Sequence, residues 1–252
     1  MTKIRKYIDN RFKSLIKGLR SYRDHLDSSA LHDLRVEIKK IKAVINLIAD
    51  NNGKFKAHKE FKPVRDIFRG AGQIRQPEVM FQLLLKYGVT HVKRESILDP
   101  DKAGMDKFVD KIPVFIRTAK ESRDRLVKRS KKIGHKEVLE SIKSFDKQLR
   151  KALTKKIKFD SIHRARKLMK QVVYLSDIHD DLAKKERKFF DDLQELIGTV
   201  HDKQQVAILL RKPSDAEQKK ALDGIQAALE SDKKKIIRRC EAFYKTKGIV
   251  IV

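Results

Sequence analysis

Two segments of this chain repeat one pattern of cationic and imidazole side chains. The first runs Leu31-His32-Asp33-Leu34-Arg35-Val36-Glu37-Ile38-Lys39-Lys40-Ile41-Lys42. The second runs Ile162-His163-Arg164-Ala165-Arg166-Lys167-Leu168-Met169-Lys170-Gln171-Val172-Val173-Tyr174. In both, an Arg follows the His by three residues and a Lys follows the Arg by four, giving His32, Arg35 and Lys39 (with Lys42 added) and His163, Arg166 and Lys170. On a helix, with His32 at zero, Arg35, Lys39 and Lys42 fall at about 300°, 340° and 280°. The apolar set Leu34, Ile38, Ile41, Ile45 and Ile48 centres near about 200°. The cations therefore border the core, held at their base by packing and open at their tips. Arg offers a planar fork for phosphate oxygens, Lys a compact point charge, and His one or two N–H donors according to pH. Such a stripe suits a polyanion. Lys and Arg beside an apolar stripe are also ordinary snorkelling residues. Recurrence of the spacing favours a site, since unrelated surface charge has no reason to repeat it.

Metal chemistry fits these stripes poorly. Neither holds a second His or a carboxylate at zinc spacing. The cluster His179-Asp180-Asp181 reads as a helix end. The single cysteine, Cys240, forbids an internal disulfide and a thiolate metal cluster. No cofactor is expected.

The whole chain shares the positive charge. Its 252 residues carry 61 Lys+Arg against 34 Asp+Glu, a formal net charge of +27. Residues 1–134 contribute +17 and residues 135–252 contribute +10. This balance indicates an anionic partner: nucleic acid, an anionic membrane surface or a phosphate polymer. The Thr2-Lys3-Ile4-Arg5-Lys6-Tyr7 start has no signal-peptide core behind it. Nothing approaches the roughly 18 apolar residues of a membrane span. These features predict a cytoplasmic protein that does not insert into membranes.

Helical periodicity runs through the chain, without convincing strand alternation. Helices are expected over 3–25, over 29–50 with a cap at Ser28-Ser29, and over 55–87 with a break or kink at Gly70, Gly72 and Pro77. Residues 89–100 read as irregular. A helix bent at Pro113 is expected over 101–133, then helices over 135–156, over 161–181 capped by Asp160-Ser161, over 184–211 interrupted near Gly198, and from Pro213-Ser214-Asp215 to 246. The tail Gly248-Ile249-Val250-Ile251-Val252 reads as a strap or a disordered end. Gly134 divides the chain into 1–134 and 135–252, each with about four helices. His32 and His163 are 131 residues apart, and Ala71-Gly72-Gln73-Ile74-Arg75 matches Ile197-Gly198-Thr199-Val200-His201 at an offset of 126. Repetition on this scale implies duplication and pseudo-two-fold symmetry.

These segments resemble the CHAD domains, the conserved histidine α-helical domains. The resemblance is carried by Leu31-His32-Asp33-Leu34-Arg35-Val36, by Ile162-His163-Arg164-Ala165-Arg166-Lys167 with Tyr174, and by Asp192-Leu193-Gln194-Glu195-Leu196-Ile197-Gly198-Thr199-Val200-His201-Asp202. It implies an all-α fold of two pseudo-symmetric four-helix bundles around a basic central cleft, and inorganic polyphosphate as ligand. By position, His32, Arg35, Lys39 and Lys42 would line one wall, and His163, Arg166 and Lys170 the other. It also suggests association with polyphosphate granules. Two departures stand out. Val173 occupies a place where the family often has Arg before the Tyr. Gly72-Gln73-Ile74-Arg75-Gln76, followed by Pro77, replaces a Gly-x-x-Arg-Asp pattern. The second wall is therefore expected to be the weaker, and roles for Arg75 and His201 stay open.

A binding module is expected rather than an enzyme. The chain lacks a Walker loop, a Gly-x-Ser-x-Gly elbow, a His-Glu-x-x-His motif and the Glu-x-Glu-x-Lys signature of triphosphate tunnel enzymes. The alternatives are nucleic-acid binding and, further off, His-dependent phosphotransfer or metal binding. Base recognition would add a groove-reading helix or stacking aromatics. Phe12, Phe61, Phe115 and Phe145 are expected in the core instead. No unusually apolar face recommends a membrane scaffold. Protein partners are not legible.

Overall fold

The computed structural model describes residues 2–90, 102–153 and 159–247, and every regular element among them is helical. In chain order these are α1 (Lys3–His25), α2 (Ser28–Asp50), α3 (Ala57–Lys86), α4 (Lys102–Asp110), α5 (Ile112–Arg129), a 3-10 turn (Ser130–Lys132), α6 (His135–Ala152), α7 (Phe159–Ser176), α8 (Lys184–Leu209) and α9 (Ala216–Lys245). The expected irregular stretch (apart from Val89 and Thr90), the end of the expected 135–156 helix and the apolar tail lie outside the described residues.

Helical spacing of apolar residues accounts for the packing. On α1, Ile4, Ile8, Phe12, Leu15, Ile16 and Leu19 are buried, as their periodicity predicts, and Tyr7 and Tyr22 join them. On α2 the whole set Leu34, Ile38, Ile41, Ile45 and Ile48 is buried. Leu26 ends α1 in the left-handed region at φ 51°. Asp27 then caps α2, accepting from the Ser29 amide at 2.9 Å. This moves the cap one residue ahead of the expected Ser28-Ser29, because a carboxylate competes well for an orphan N–H.

Several expected interruptions do not occur. α3 continues as one helix through Pro63, Gly70, Gly72 and Pro77, so the break is absent. An interior proline costs about 3 kcal/mol. Burial of Val64, Ile67, Ala71, Met80, Leu83 and Leu84 along the helix offsets that cost. α8 likewise passes through Gly198 without interruption. Pro113 starts α5 instead of bending a longer helix, as its fixed φ and missing N–H favour. Asp160 and Ser161 fall inside α7 rather than capping it. At the last helix the expected start holds: Asp215 caps α9, accepting from the Gln218 amide at 2.8 Å. Of the four phenylalanines expected in the core, Phe12 is fully buried, while Phe61, Phe115 and Phe145 are half-buried.

The chain forms two compact units. One comprises Met1–Pro77, Asp99–Ile142 and Tyr174–Asp181, and the other Glu78–Leu98, Lys143–Val173 and Leu182–Val252. Each contains one copy of the repeated motif. The units interleave along the chain, whereas the sequence repeat is consecutive, with its boundary at Gly134. Within the first unit, the Tyr7 hydroxyl donates to the Tyr174 carbonyl at 3.0 Å. Within the second, the Tyr244 hydroxyl donates to Asp146 at 2.7 Å, and Lys203 pairs with the buried Asp232 at 2.6 Å, tying α8 to α9. Cys240 is fully buried, and burial pushes its thiol up to about 12, so it is an inert core residue.

Candidate functional site

In the first unit, α2 presents its cations along the edge of the buried stripe, against α3. His32 and Lys42 are exposed; Arg35 and Lys39 are half-buried. Arg35 is held from two sides. Its Nη1 donates to the Phe68 carbonyl at 2.7 Å, and its guanidinium carbon lies 3.9 Å from the Phe68 ring centroid. The Lys39 ammonium lies 5.9 Å from the same ring, and that of Lys42 lies 5.0 Å from Phe61. Phe61 and Phe68 are seven residues apart, hence on one face of α3. They form an aromatic rail on which the cations rest, each contact worth about 0.5–1 kcal/mol where exposed.

Gly72 makes this arrangement possible. A Cβ there would stand 2.1 Å from Arg35 Nη1 and 3.1 Å from Arg35 Cζ. Arg75, one turn further along α3, completes the cluster electrostatically. Partial desolvation of the exposed ring at its base, then the charges of Arg75, Lys39 and Arg35, hold the His32 imidazole below its ordinary pKa, with Asp33 opposing them. Burial and Arg75 also lower Arg35. Glu37, the other carboxylate in this stretch of α2, is engaged elsewhere, by Lys40 at 2.8 Å and Arg11 at 3.2 Å.

The second unit builds its ridge from α7 and α8. Ile162, Ala165, Leu168, Met169, Val172 and Val173 are buried. Along their edge His163 is exposed, and Arg166 and Lys170 are half-buried. His201 of α8 comes against His163, ring centroids 5.8 Å apart and planes at 31°. Burial, then Arg166, His163 and Lys170, hold His201 below its ordinary pKa, against the opposing charge of Asp202. Arg166 is less constrained than Arg35. Its Nε is buried without a hydrogen-bond partner, and a Cβ at Gly198 would meet nothing within 4 Å. Gln194, which stands where the first repeat has Phe68, leaves its Oε1 buried and unpartnered.

The structure places the residues expected from the sequence along one edge of α2 and one edge of α7. The structure adds Arg75 and His201, whose shared offset of 126 residues marked them as equivalent. It also adds Phe61, Phe68 and Gly72, which sequence reasoning missed. The seven-residue spacing of the two rings was the available signal.

A separate cluster lies at the start of α6. His135 Nε2 lies 2.6 Å from Asp181 Oδ1, and its ring stacks on His179 at 4.3 Å. Asp180 takes the left-handed conformation at φ 59°, as the end of a helical segment would. Among the described residues, no group of three or more His, Cys, Asp and Glu is arranged to hold a metal ion. No described helix is long and apolar enough to cross a membrane.

The lowered imidazoles predict how the unliganded protein responds to pH. His32, His179 and His201 bind protons less readily folded than unfolded. The unfolded chain therefore takes up more protons as pH falls below about 6.5, and folding weakens. Thermal melts without added anion should give a Tm that declines from pH 7.5 to pH 5.5. His201→Gln should flatten part of that decline; an identical slope in the variant would contradict the assignment.

A family profile described as CHAD domain matches residues 6–211. No curated protein and no solved structure matches the chain. The profile covers most of the sequence and both ridges, so the chain belongs to the CHAD domain family.

Proposed function

We propose that this protein binds inorganic polyphosphate, without catalysis, through His32, Arg35, Lys39 and Lys42 in one unit and His163, Arg166 and Lys170 in the other. Arg75 and His201 extend the two sets. The observation that carries this reading is the local build of each unit. An Arg on a rigid helix is flanked by His and Lys, a further basic or imidazole group arrives from the next helix, and the Glu37 carboxylate is turned away. CHAD membership supports polyphosphate as the polyanion.

Number decides whether such a surface binds usefully. One exposed ion pair is worth about 0–1 kcal/mol. Several cations facing one polymer, with counterions released from it, give a large and salt-dependent affinity. The reading includes two pseudo-symmetric four-helix repeats, 1–134 and 135–252, whose ridges serve one polymer in a shared basic cleft. It places the protein in the cytoplasm, in association with polyphosphate granules.

Nucleic acid is the competing polyanion. Both rings of the first ridge already carry cations, Phe68 that of Arg35 at 3.9 Å and Phe61 that of Lys42 at 5.0 Å, so a base would have to displace one to stack there. Base-free phosphate fits better. Calorimetry with polyphosphate of defined length, against duplex DNA of equal charge, tests this. Polyphosphate should bind at least about tenfold tighter, a difference of about 1.4 kcal/mol. Equal or tighter binding of DNA would reverse the assignment.

Bound polyphosphate should raise the pKa of His32 and His201, since adjacent negative charge favours imidazolium. Binding then takes up protons, and affinity rises as pH falls from 8 to 6. Equal calorimetric heats in buffers of different ionisation enthalpy would show no uptake and contradict the histidine roles.

A further inference from the structure

The first unit has a second basic groove, which shares no residue with the ridge. α1 packs against both α2 and α5, and the groove runs along its α5 side. It encloses about 510 Å³ over Ile16, with Lys13, Lys17 and Arg20 on one wall and Lys120 and Arg123 on the other. We infer that this α1–α5 groove is a distinct binding site for a compact, phosphate-dense anion, an inorganic oligophosphate of a few phosphates.

A strongly basic protein has cations in most of its grooves, so their presence alone decides nothing. The wall of this groove holds no carboxylate, unlike the walls of three other grooves, although Lys17 also borders the α1–α2 groove and Asp24 acts on Arg20 and His25 from outside the wall. The groove between α1 and α2 has Asp27, Asp33 and Glu37 in its wall, that between α3 and α4 has Asp66, and the cavity beside α9 has Glu217. Asp9 lies outside the groove and steadies its rim, at 2.7 Å from Lys13 and 3.7 Å from Arg123. Arg123 also pairs with Asp124 at 2.9 Å. Among the described residues, Lys17, Arg20 and Lys120 form no ion pair.

The spacing is mildly unfavourable without an anion. Lys13 and Lys17 stand at i,i+4, and Lys17 and Arg20, like Lys120 and Arg123, at i,i+3, where like charges face each other and destabilise a helix. Asp9 and Asp124 offset part of the first and third repulsions, and a multiply charged anion between the walls relieves what remains. The groove wall contains no Phe or Tyr, so nothing in it stacks a base. An open groove of this volume takes a few phosphates and does not enclose a long polymer. His25 at one end adds an imidazole N–H donor.

This site does not depend on the ridges, and tripolyphosphate separates the two. In calorimetry, the Arg35→Ala, Arg166→Ala protein should still bind one tripolyphosphate per chain. Adding Lys17→Gln, Arg20→Gln and Lys120→Gln should weaken that remaining binding at least about tenfold, with helicity unchanged by circular dichroism. The same three groove substitutions in the otherwise natural chain should remove one equivalent of bound tripolyphosphate, which covers the case of a misfolded ridge variant. Binding unaffected by the groove substitutions in either background would overturn the inference. So would an oligonucleotide of equal charge that outcompetes tripolyphosphate in the groove.

Discussion

Replacing Arg35 and Arg166 together by Ala should weaken polyphosphate binding by about 100-fold or more while leaving helicity intact. Each guanidinium supplies charge-assisted hydrogen bonds to phosphate, individually worth about 1.5–3 kcal/mol, and 1.4 kcal/mol is a factor of ten. Neither side chain fills the core, since both are half-buried at the edge of a buried stripe. Arg35→Ala alone should account for the larger share. Arg35 is fixed by the Phe68 carbonyl and ring before any ligand arrives, so less freedom is lost on binding. Arg166 has no such clamp and must order as it binds. Isothermal titration of the two single variants and the double variant reads all three effects. Unchanged affinity in the double variant would remove both residues from the site.

The second large effect concerns glycine. Gly72→Ala would place a Cβ 2.1 Å from Arg35 Nη1, so the guanidinium must leave its place on Phe68. The obstructing atom is the end of a flexible side chain, and moving it costs the fold little. Ala also gains up to about 1 kcal/mol of helix propensity over Gly. Stability should therefore change little or rise, while polyphosphate affinity falls about tenfold through loss of a pre-placed donor. Gly198→Ala is the matched control. Its Cβ meets nothing within 4 Å, so it should stabilise α8 by up to about 1 kcal/mol and leave binding unchanged. Denaturant melts and calorimetry on both variants check the pair. If the two glycines behaved alike in binding, the proposed clamp on Arg35 would be wrong.

These effects also show where sequence reading works and where it stops. The apolar stripes of α1 and α2 were legible because burial follows helical period residue by residue. His32, Arg35, Lys39 and their counterparts were legible because a spacing recurs. The continuity of α3 was not. Pro63 and Pro77 are local breakers, and only tertiary burial of residues such as Ile67 and Leu84 overrides them. Gly72 was read as part of a break or kink for the same reason: a helical glycine gives no sign that a side chain from another helix lies against it. Phe61 was assigned to the core, but its half-buried ring faces Lys42. Hydrophobicity alone does not distinguish a core ring from one that supports a cation. Arg75 and His201 stand between these cases. The repeat marked them as equivalent, and only folding brings Arg75 into the field of His32, and His201 to 5.8 Å from His163.

The ridges themselves are tested most directly by NMR of the histidine rings during titration with polyphosphate of defined length. The imidazole signals of His32, His163 and His201 should shift together and saturate at one stoichiometry, and their titration curves should move to higher pH. His179, which stacks on His135 and belongs to neither ridge, should stay in place. Tight binding with the three ridge signals unmoved would contradict the account, whatever the affinity.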